Sequence, residues 1–367
     1  MALNKQIERQ VEGIRRLLVE IGRPVNLMEV CGTHTVSIFR HGLRGMFEGI
    51  RFLSGPGCPV CVTSGRDVDG AVLISRESDV ALATFGDMMR VPGSLGNLDY
   101  ARACGADIRI VYSALDALQM ARMEKTRRVV FFSTGFETTA PGAAAIIHEA
   151  REEGIGNFSV YSVHKLVPPA LRALLSTPGI EVDGFLLPGH VSTIIGVRPY
   201  EFIAADNGKP AVIAGFSAED IIGATLMLLG QIRRGRAAVE VQYRTAVRAE
   251  GNRRALAMME ECFEPDSAWW RGIGAIPASG LRIREGFAAF DAARVFAMAL
   301  EGVMSGRQSA PSEPPGCSCG DVLRGLKIPT ECRLFGKKCT PESPVGACMV
   351  SAEGSCAAYY KYGSPGR

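Results

Sequence analysis

Eight short apolar runs recur along the first two thirds of the chain, and most are followed by a segment long enough for a helix. The runs are VNLMEV (25–30), IRFLS (50–54), DVALATF (79–85), IRIVYS (108–113), RVVFFS (128–133), FSVYSV (158–163), GFLLP (184–188) and AVIAGF (211–216). Helix-length segments at 64–77, 114–125, 141–153 and 168–175 separate them. Strand alternating with helix predicts βαβ units and parallel sheets covered on both faces. No fixed-period repeat runs through the sequence, which argues against a solenoid.

Eight strands with a chemical motif in each half predict an α/β chain of two parallel-sheet, Rossmann-like lobes. The expected bounds are 1–126 and 127–230, with the break near 125–128. From 217 to about 305 the pattern turns mainly helical, and its Met, Leu and Ala side chains at helical spacing read as packing. The run SGRQSAPSEPPG (305–316) reads as a linker. A helical segment and a small cysteine-rich C-terminal region therefore complete the chain over 231–367.

The chain has 367 residues, 47% hydrophobic and 22% charged, enough to bury sizeable cores. Lys and Arg total 41 against 38 Asp and Glu, with no basic run, so no nucleic-acid partner is expected. The start, MALNKQIERQVEGIRRLL, reads as an amphipathic helix without the apolar core of a secretory signal. The longest apolar stretch, 221–232, is broken by Gly223 and Gly230 and is too short to span a membrane. A cytoplasmic location is expected. In that reducing compartment the 11 cysteines are not expected to be structural disulfides.

Ligands of open α/β sheets bind at the carboxyl ends of strands, and four such ends carry unusual polar sequence. MEVCGTHTVSIFRHGLR (28–44) puts Cys31 between a strand and a helix that Thr33 could cap. A helix N-terminus there would lower the thiol pKa, favouring the thiolate needed for attack or ligation. His34 could be a second ligand or a proton donor. GPGCPVC (55–61) holds Cys58 and Cys61 as C-x-x-C in a loop stiffened by two glycines and two prolines, with Ser64 placed to cap the next helix. Such a pair can cycle between dithiol and disulfide. FFSTGFETTAP (131–141) could cradle an anion with Thr134, Thr138 and Thr139, or those threonines could merely cap a helix. Glu137 is its one ionisable group. His164 and His190 follow strands too, and the bland reading of each is a satisfied hydrogen-bonding residue. Cys104 and Cys262 stand alone and read as small buried hydrophobes.

Six cysteines fall between Cys317 and Cys356 in a tail too poor in apolar runs to build an ordinary core. A metal is the usual substitute for such a core. Zinc ribbons use paired C-x-x-C knuckles, which the tail lacks. Wide, unequal spacing with Gly and Pro between suits an iron–sulfur cluster better. Cys332, Cys339 and Cys356 are the firmest candidates, with Cys317, Cys348 or Cys319 as the fourth.

Taken together, MEVCGTHT, SGPGCPVCVT, FSTGFETTAP, LPGHVS and CRLFGKKCTPESPVGACMVSAEGSCAAYY make the sequence resemble the HypD family of nickel–iron hydrogenase maturation factors. The resemblance runs over most of the chain. It implies a scaffold on which an Fe(CN)2CO group is assembled before insertion into the hydrogenase large subunit. It implies a small HypC-type chaperone and a HypE-type cyanide donor as partners. Carried over, Cys31 would hold the iron with His34 close by, and Cys58 and Cys61 would be a redox dithiol. The family's spacing C-x14-C-x6-C-x16-C falls on Cys317, Cys332, Cys339 and Cys356 as ligands of a [4Fe–4S] cluster. The competing expectation is an iron–sulfur-dependent dithiol–disulfide oxidoreductase, which leaves Cys31 without a task.

Overall fold

The computed structural model describes residues 2–305 and 313–363. All eight expected strands form, as Val25–Glu29 (β1), Ile50–Ser54 (β2), Val80–Thr84 (β3), Ile108–Ile110 (β4), Arg128–Ser133 (β5), Phe158–Ser162 (β6), Gly184–Pro188 (β7) and Ala211–Ala214 (β8). A ninth, Val239–Val241 (β9), extends the first sheet. Most of these strands are buried on both faces, which is why they read as continuous apolar runs instead of alternating ones.

The strands make two parallel sheets, ordered β2-β1-β7-β8-β9 and β4-β3-β5-β6. The lobes do not follow chain order. The chain leaves the first sheet after β2, builds the whole second sheet, and returns at β7. A break near 125–128 would fall between β4 and β5, yet β5 lies beside β3 along Val80–Thr84. Apolar periodicity reports that strands exist; long-range pairing decides which sheet each joins.

Both sheets share one winding. The first strand sends its successor to one side, and the chain then crosses to the other. The strand order therefore reverses between β1 and β7 in one sheet and between β3 and β5 in the other. These reversals open crevices at the carboxyl ends of the strands, where open α/β sheets bind ligands. Cys31 follows β1 and His190 follows β7, so both stand at the first crevice.

The helices Ala2–Ile21 and Ala218–Arg233 pack together over one face of the first sheet, with Ile14, Leu27, Phe52 and Leu228 buried between them. The stretch after 217, expected to be mainly helical, is interrupted by a hairpin, Phe263–Trp270 (β10) with Gly274–Ile283 (β11). A register shift between Asp266 and Ala268 breaks its alternation, and Pro265 and Pro277 lie within its strands, so a period-two pattern never shows. The hairpin wedges between the lobes. Trp270, buried, pairs with Thr63 and stacks on Phe136 at 6.0 Å, while Leu166 N donates to Ser279 O at 2.8 Å. Most of the expected linker at 305–316 lies outside the described residues.

Candidate functional site

Cys31 caps the helix Gly32–Arg40 by position, without a side-chain cap bond. Thr33, expected to be the cap, lies inside the helix and donates its hydroxyl to Glu353 Oε1 at 2.8 Å. The expected depressed thiol does not materialise: burial pushes Cys31 up to about 12, outweighing the backbone N–H groups of His34 and Thr33. Desolvation of a charge exceeds what one helix end returns. A thiol so buried is a poor free nucleophile and becomes a thiolate only when a cation replaces its proton.

Beneath it sits Glu29, buried, its Oε2 accepting from Cys31 N at 3.1 Å and its Oε1 from the Thr35 hydroxyl. Burial raises the Glu29 carboxyl to about 7. His34 is fully buried, with Nε2 2.9 Å from Gly215 O and Nδ1 without a partner. Burial lowers it to about 4, so its imidazole is neutral at ordinary pH. Phe216 is stacked against both His34, at 5.0 Å, and the exposed His190, at 3.8 Å. The two histidines thus share one aromatic ring at the first crevice.

The C-x-x-C loop lies directly against this site. Gly32 N donates to Gly57 O at 3.1 Å, Gly55 N donates to Glu29 O at 2.8 Å, and a Cβ on Gly57 would overlap the Cys31 backbone. Gly57 is required for that close approach. Cys58 and Cys61 form a disulfide with Cα atoms 5.2 Å apart, and both are buried. Cys58 Sγ accepts from Cys61 N at 3.2 Å, capping the single turn Pro59–Val62. Ser64 then caps Gly65–Ser75 in a reciprocal box with Asp67, as expected.

The tail docks on the same face. Its helix Ala347–Val350 packs on Pro59–Val62, and Ser355–Tyr362 packs on Gly32–Arg40. Tyr359 meets Phe39 edge-on at 4.4 Å, and the Arg44 guanidinium lies 4.6 Å from each ring. Ser351 donates to Asp87 Oδ2 at 3.1 Å, near the second crevice, while Glu353 holds Thr33 at the first. One short strap therefore touches both lobes.

Within the tail, Cys319 and Cys348 are fully buried with sulfurs 2.8 Å apart. Hydrogen bonds from Cys317 and Cys348 push the Cys319 thiol down, aided by the buried Arg271 guanidinium. Arg271 itself is anchored to Thr63 O at 2.8 Å and Pro92 O at 2.7 Å. Val345 N donates to Cys339 Sγ at 3.3 Å, and a Cβ on Gly346 would stand 2.8 Å from Cys317 Sγ. A hydrogen bond with Cys348 pulls the Cys356 thiol down, but burial and the charges of Cys319, Cys339 and Cys332 leave it raised. Among the described residues no three His, Cys, Asp or Glu side chains converge closely enough for a single metal ion. An iron–sulfur core is larger and takes its thiolates from separate turns. The all-thiol donor set fits that group.

Other expectations resolve away from these thiols. Glu137 Oε1 accepts from Val167 N at 2.9 Å, and its buried Oε2 has no partner. Thr139 caps the helix Ala140–Glu152 by position only, its hydroxyl turned to Phe136 O. His164 is buried between Ser162 Oγ, 3.1 Å from Nδ1, and Ser133 Oγ, 3.4 Å from Nε2. Cys262 is buried as expected, but Cys104 is exposed, because it ends the short surface helix Leu98–Ala103. Glu29, Glu353 and Arg271 were not singled out from sequence, and Cys319 and Cys348 only as alternatives for a fourth cluster ligand. Glu29 and Arg271 look like surface residues until their burial is known, and the exposed Glu353 until its bond to Thr33 is.

Residues 5–363 match a family described as HypD, the hydrogenase formation hypA family. The chain belongs to the HypD family. It is 51% identical over 356 residues to the hydrogenase maturation factor HypD of Rhodobacter capsulatus, covering 95% of this chain and 93% of that protein. It is 45% identical to the factor of the same name from Rhizobium leguminosarum bv. viciae, covering 99% and 93%. The corresponding Escherichia coli K12 protein is 43% identical, covering 97% and 94%. No helix among the described residues of this HypD-family chain is long and apolar enough to cross a membrane.

Proposed function

We propose that this HypD-family chain serves hydrogenase maturation as the scaffold on which the Fe(CN)2CO group is built. Cys31 is the thiolate that holds the iron cargo, a small HypC-type chaperone shares it, and a HypE-type partner delivers cyanide. One observation carries this reading: the Cys58–Cys61 loop is seated on the Cys31 backbone through Gly57. A reductase acting on a free disulfide has no need of that contact.

The electron count agrees. Releasing cyanide from a protein thiocyanate breaks an S–C bond and takes two electrons, leaving a thiolate and a cyanide ion for the iron. Cys58 and Cys61 passing from dithiol to disulfide supply two electrons and shed two protons. The Cys58–Cys61 disulfide seen here is the spent form of that pair.

Cys317, Cys332, Cys339 and Cys356 would hold a [4Fe–4S] cluster. Support comes from the all-thiol donor set and its wide spacing; Cys319 and Cys348, 2.8 Å apart, in turn hydrogen-bond Cys317 and Cys356. When bound, such a cluster transfers electrons singly. Cys319 and Cys348, the latter on the helix that packs on Pro59–Val62, form a second buried thiol pair, on the tail side of the first.

The test is infrared spectroscopy of the anaerobic protein co-expressed with its small chaperone. CN and CO stretching bands in the native complex, absent from Cys31→Ala, are expected. A native complex that carries iron but neither band would overturn the scaffold.

A further inference from the structure

We propose that Glu29 is a positioning residue that holds Cys31 and the Cys58–Cys61 loop in working register. This rests on the scaffold reading above. Glu29 makes three bonds that point in different directions. Its Oε2 accepts from Cys31 N at 3.1 Å, its Oε1 accepts from the Thr35 hydroxyl one turn into the helix, and its main-chain oxygen accepts from Gly55 N at 2.8 Å. One residue thus grips the iron-holding turn with its side chain and the dithiol loop with its backbone. Val30 N, donating to Leu186 O at 3.0 Å, ties the same segment to β7.

A carboxyl 2% exposed is costly to keep, since burial disfavours its charge. A purely structural position at the end of β1 needs no acid there. The two oxygens serve two donors at once, the Cys31 backbone N–H and the Thr35 hydroxyl. Glutamine has the same shape but only one accepting oxygen: with that oxygen on Cys31 N, its NH2 turns to Thr35 Oγ1, so the hydroxyl must accept where it now donates and the carboxylate-strengthened bond is lost. The backbone bond to Gly55 would survive that change. Glu29→Gln therefore loosens Cys31 while leaving the loop in place.

Transfer of cyanide to iron on Cys31, with electrons from the neighbouring dithiol, depends on that register. A misplacement of about 1 Å costs on the order of 100-fold in such reactions. We expect Glu29→Gln, co-expressed with the small chaperone, to keep its iron but show shifted or split CN and CO bands. Hydrogenase maturation should fall roughly 100-fold, with the urea midpoint and the visible absorbance of the tail measured alongside as controls of folding. Unshifted bands with native maturation overturn the proposal. Should Glu29→Gln fail to fold, Thr35→Val decides, because it removes one donor and leaves the carboxylate. Shifted bands in that variant support the proposal, and unshifted bands overturn it. A native complex without either band would instead defeat the scaffold reading, so the two failures are distinguishable.

Discussion

Thr33 Oγ1 and Glu353 Oε1 lie 2.8 Å apart, joining residues 320 positions distant. That bond brings the cysteine-rich tail against the helix that begins at Cys31. Gly32 takes part as well, since a Cβ there would strike the Glu353 backbone. Removing the hydroxyl in Thr33→Val should cost about 1 kcal/mol, the net worth of a typical hydrogen bond. Limited proteolysis should then release the 313–363 region faster than in the native chain. Equal cleavage rates would mean the bond does not hold the tail.

Gly57 has no room for a side chain, because its Cβ direction points into the Cys31 backbone nitrogen. Gly57→Ala should destabilise by about 1–3 kcal/mol through overpacking. It should also depress maturation more than that loss explains, by driving the loop off Cys31. Urea unfolding beside a maturation assay separates the two effects.

Trp270 anchors the hairpin between the lobes, buried, with its indole N–H donating to Ser279 Oγ at 2.8 Å. Trp270→Ala should cost about 3–5 kcal/mol. The loss should appear as a lower urea midpoint. A change within about 0.5 kcal/mol, typical of surface positions, would show that the hairpin is peripheral.

Two buried groups should give the stability curve opposing pH slopes. Burial lowers His164 from 6.5 to about 3, so the unfolded chain takes up a proton that the folded one refuses. Stability from this group is complete above about pH 6.5 and falls as the pH drops toward 3. Burial raises Glu137 from 4.5 to about 7, so the folded chain keeps a proton that the unfolded one releases. Its contribution falls as the pH climbs from 4.5 to about 7. His164→Gln should flatten the acid limb and Glu137→Gln the neutral one. Urea midpoints across that range test both signs.

The tail cysteines should sort into two sets. Cys332→Ala and Cys356→Ala should abolish the cluster's iron and its visible absorbance. Cys319→Ala and Cys348→Ala, which break the pair 2.8 Å apart, should keep both and lose only electron delivery to Cys58–Cys61. Iron content per chain, with alkylation of reduced Cys58 and Cys61, separates the outcomes. Loss of iron from Cys319→Ala would overturn this assignment.

Much of the site was legible in the primary structure, because the motifs that carry it are local. CGTH, GPGCPVC and the spaced tail cysteines each stand at a strand end or in a Gly- and Pro-bounded loop, and short-range rules read such places well. The eight strands were legible for the same reason: apolar runs buried on both faces leave a continuous signature. The hairpin was not, because its bulge and prolines erase the alternation that marks a strand.

What the sequence by itself determined was the presence of strands, thiols and turn residues, properties of neighbouring positions along the chain. Only the tertiary structure decided which strands share a sheet, and hence that Cys31 stands where the strand order reverses between β1 and β7. Only it made Glu29 a buried clasp and Glu353 a tether, and only it raised the Cys31 thiol instead of lowering it. The physical reason is one and the same. Burial and long-range contact set the energy of a charged group, and neither is a property of the residues beside it in the chain.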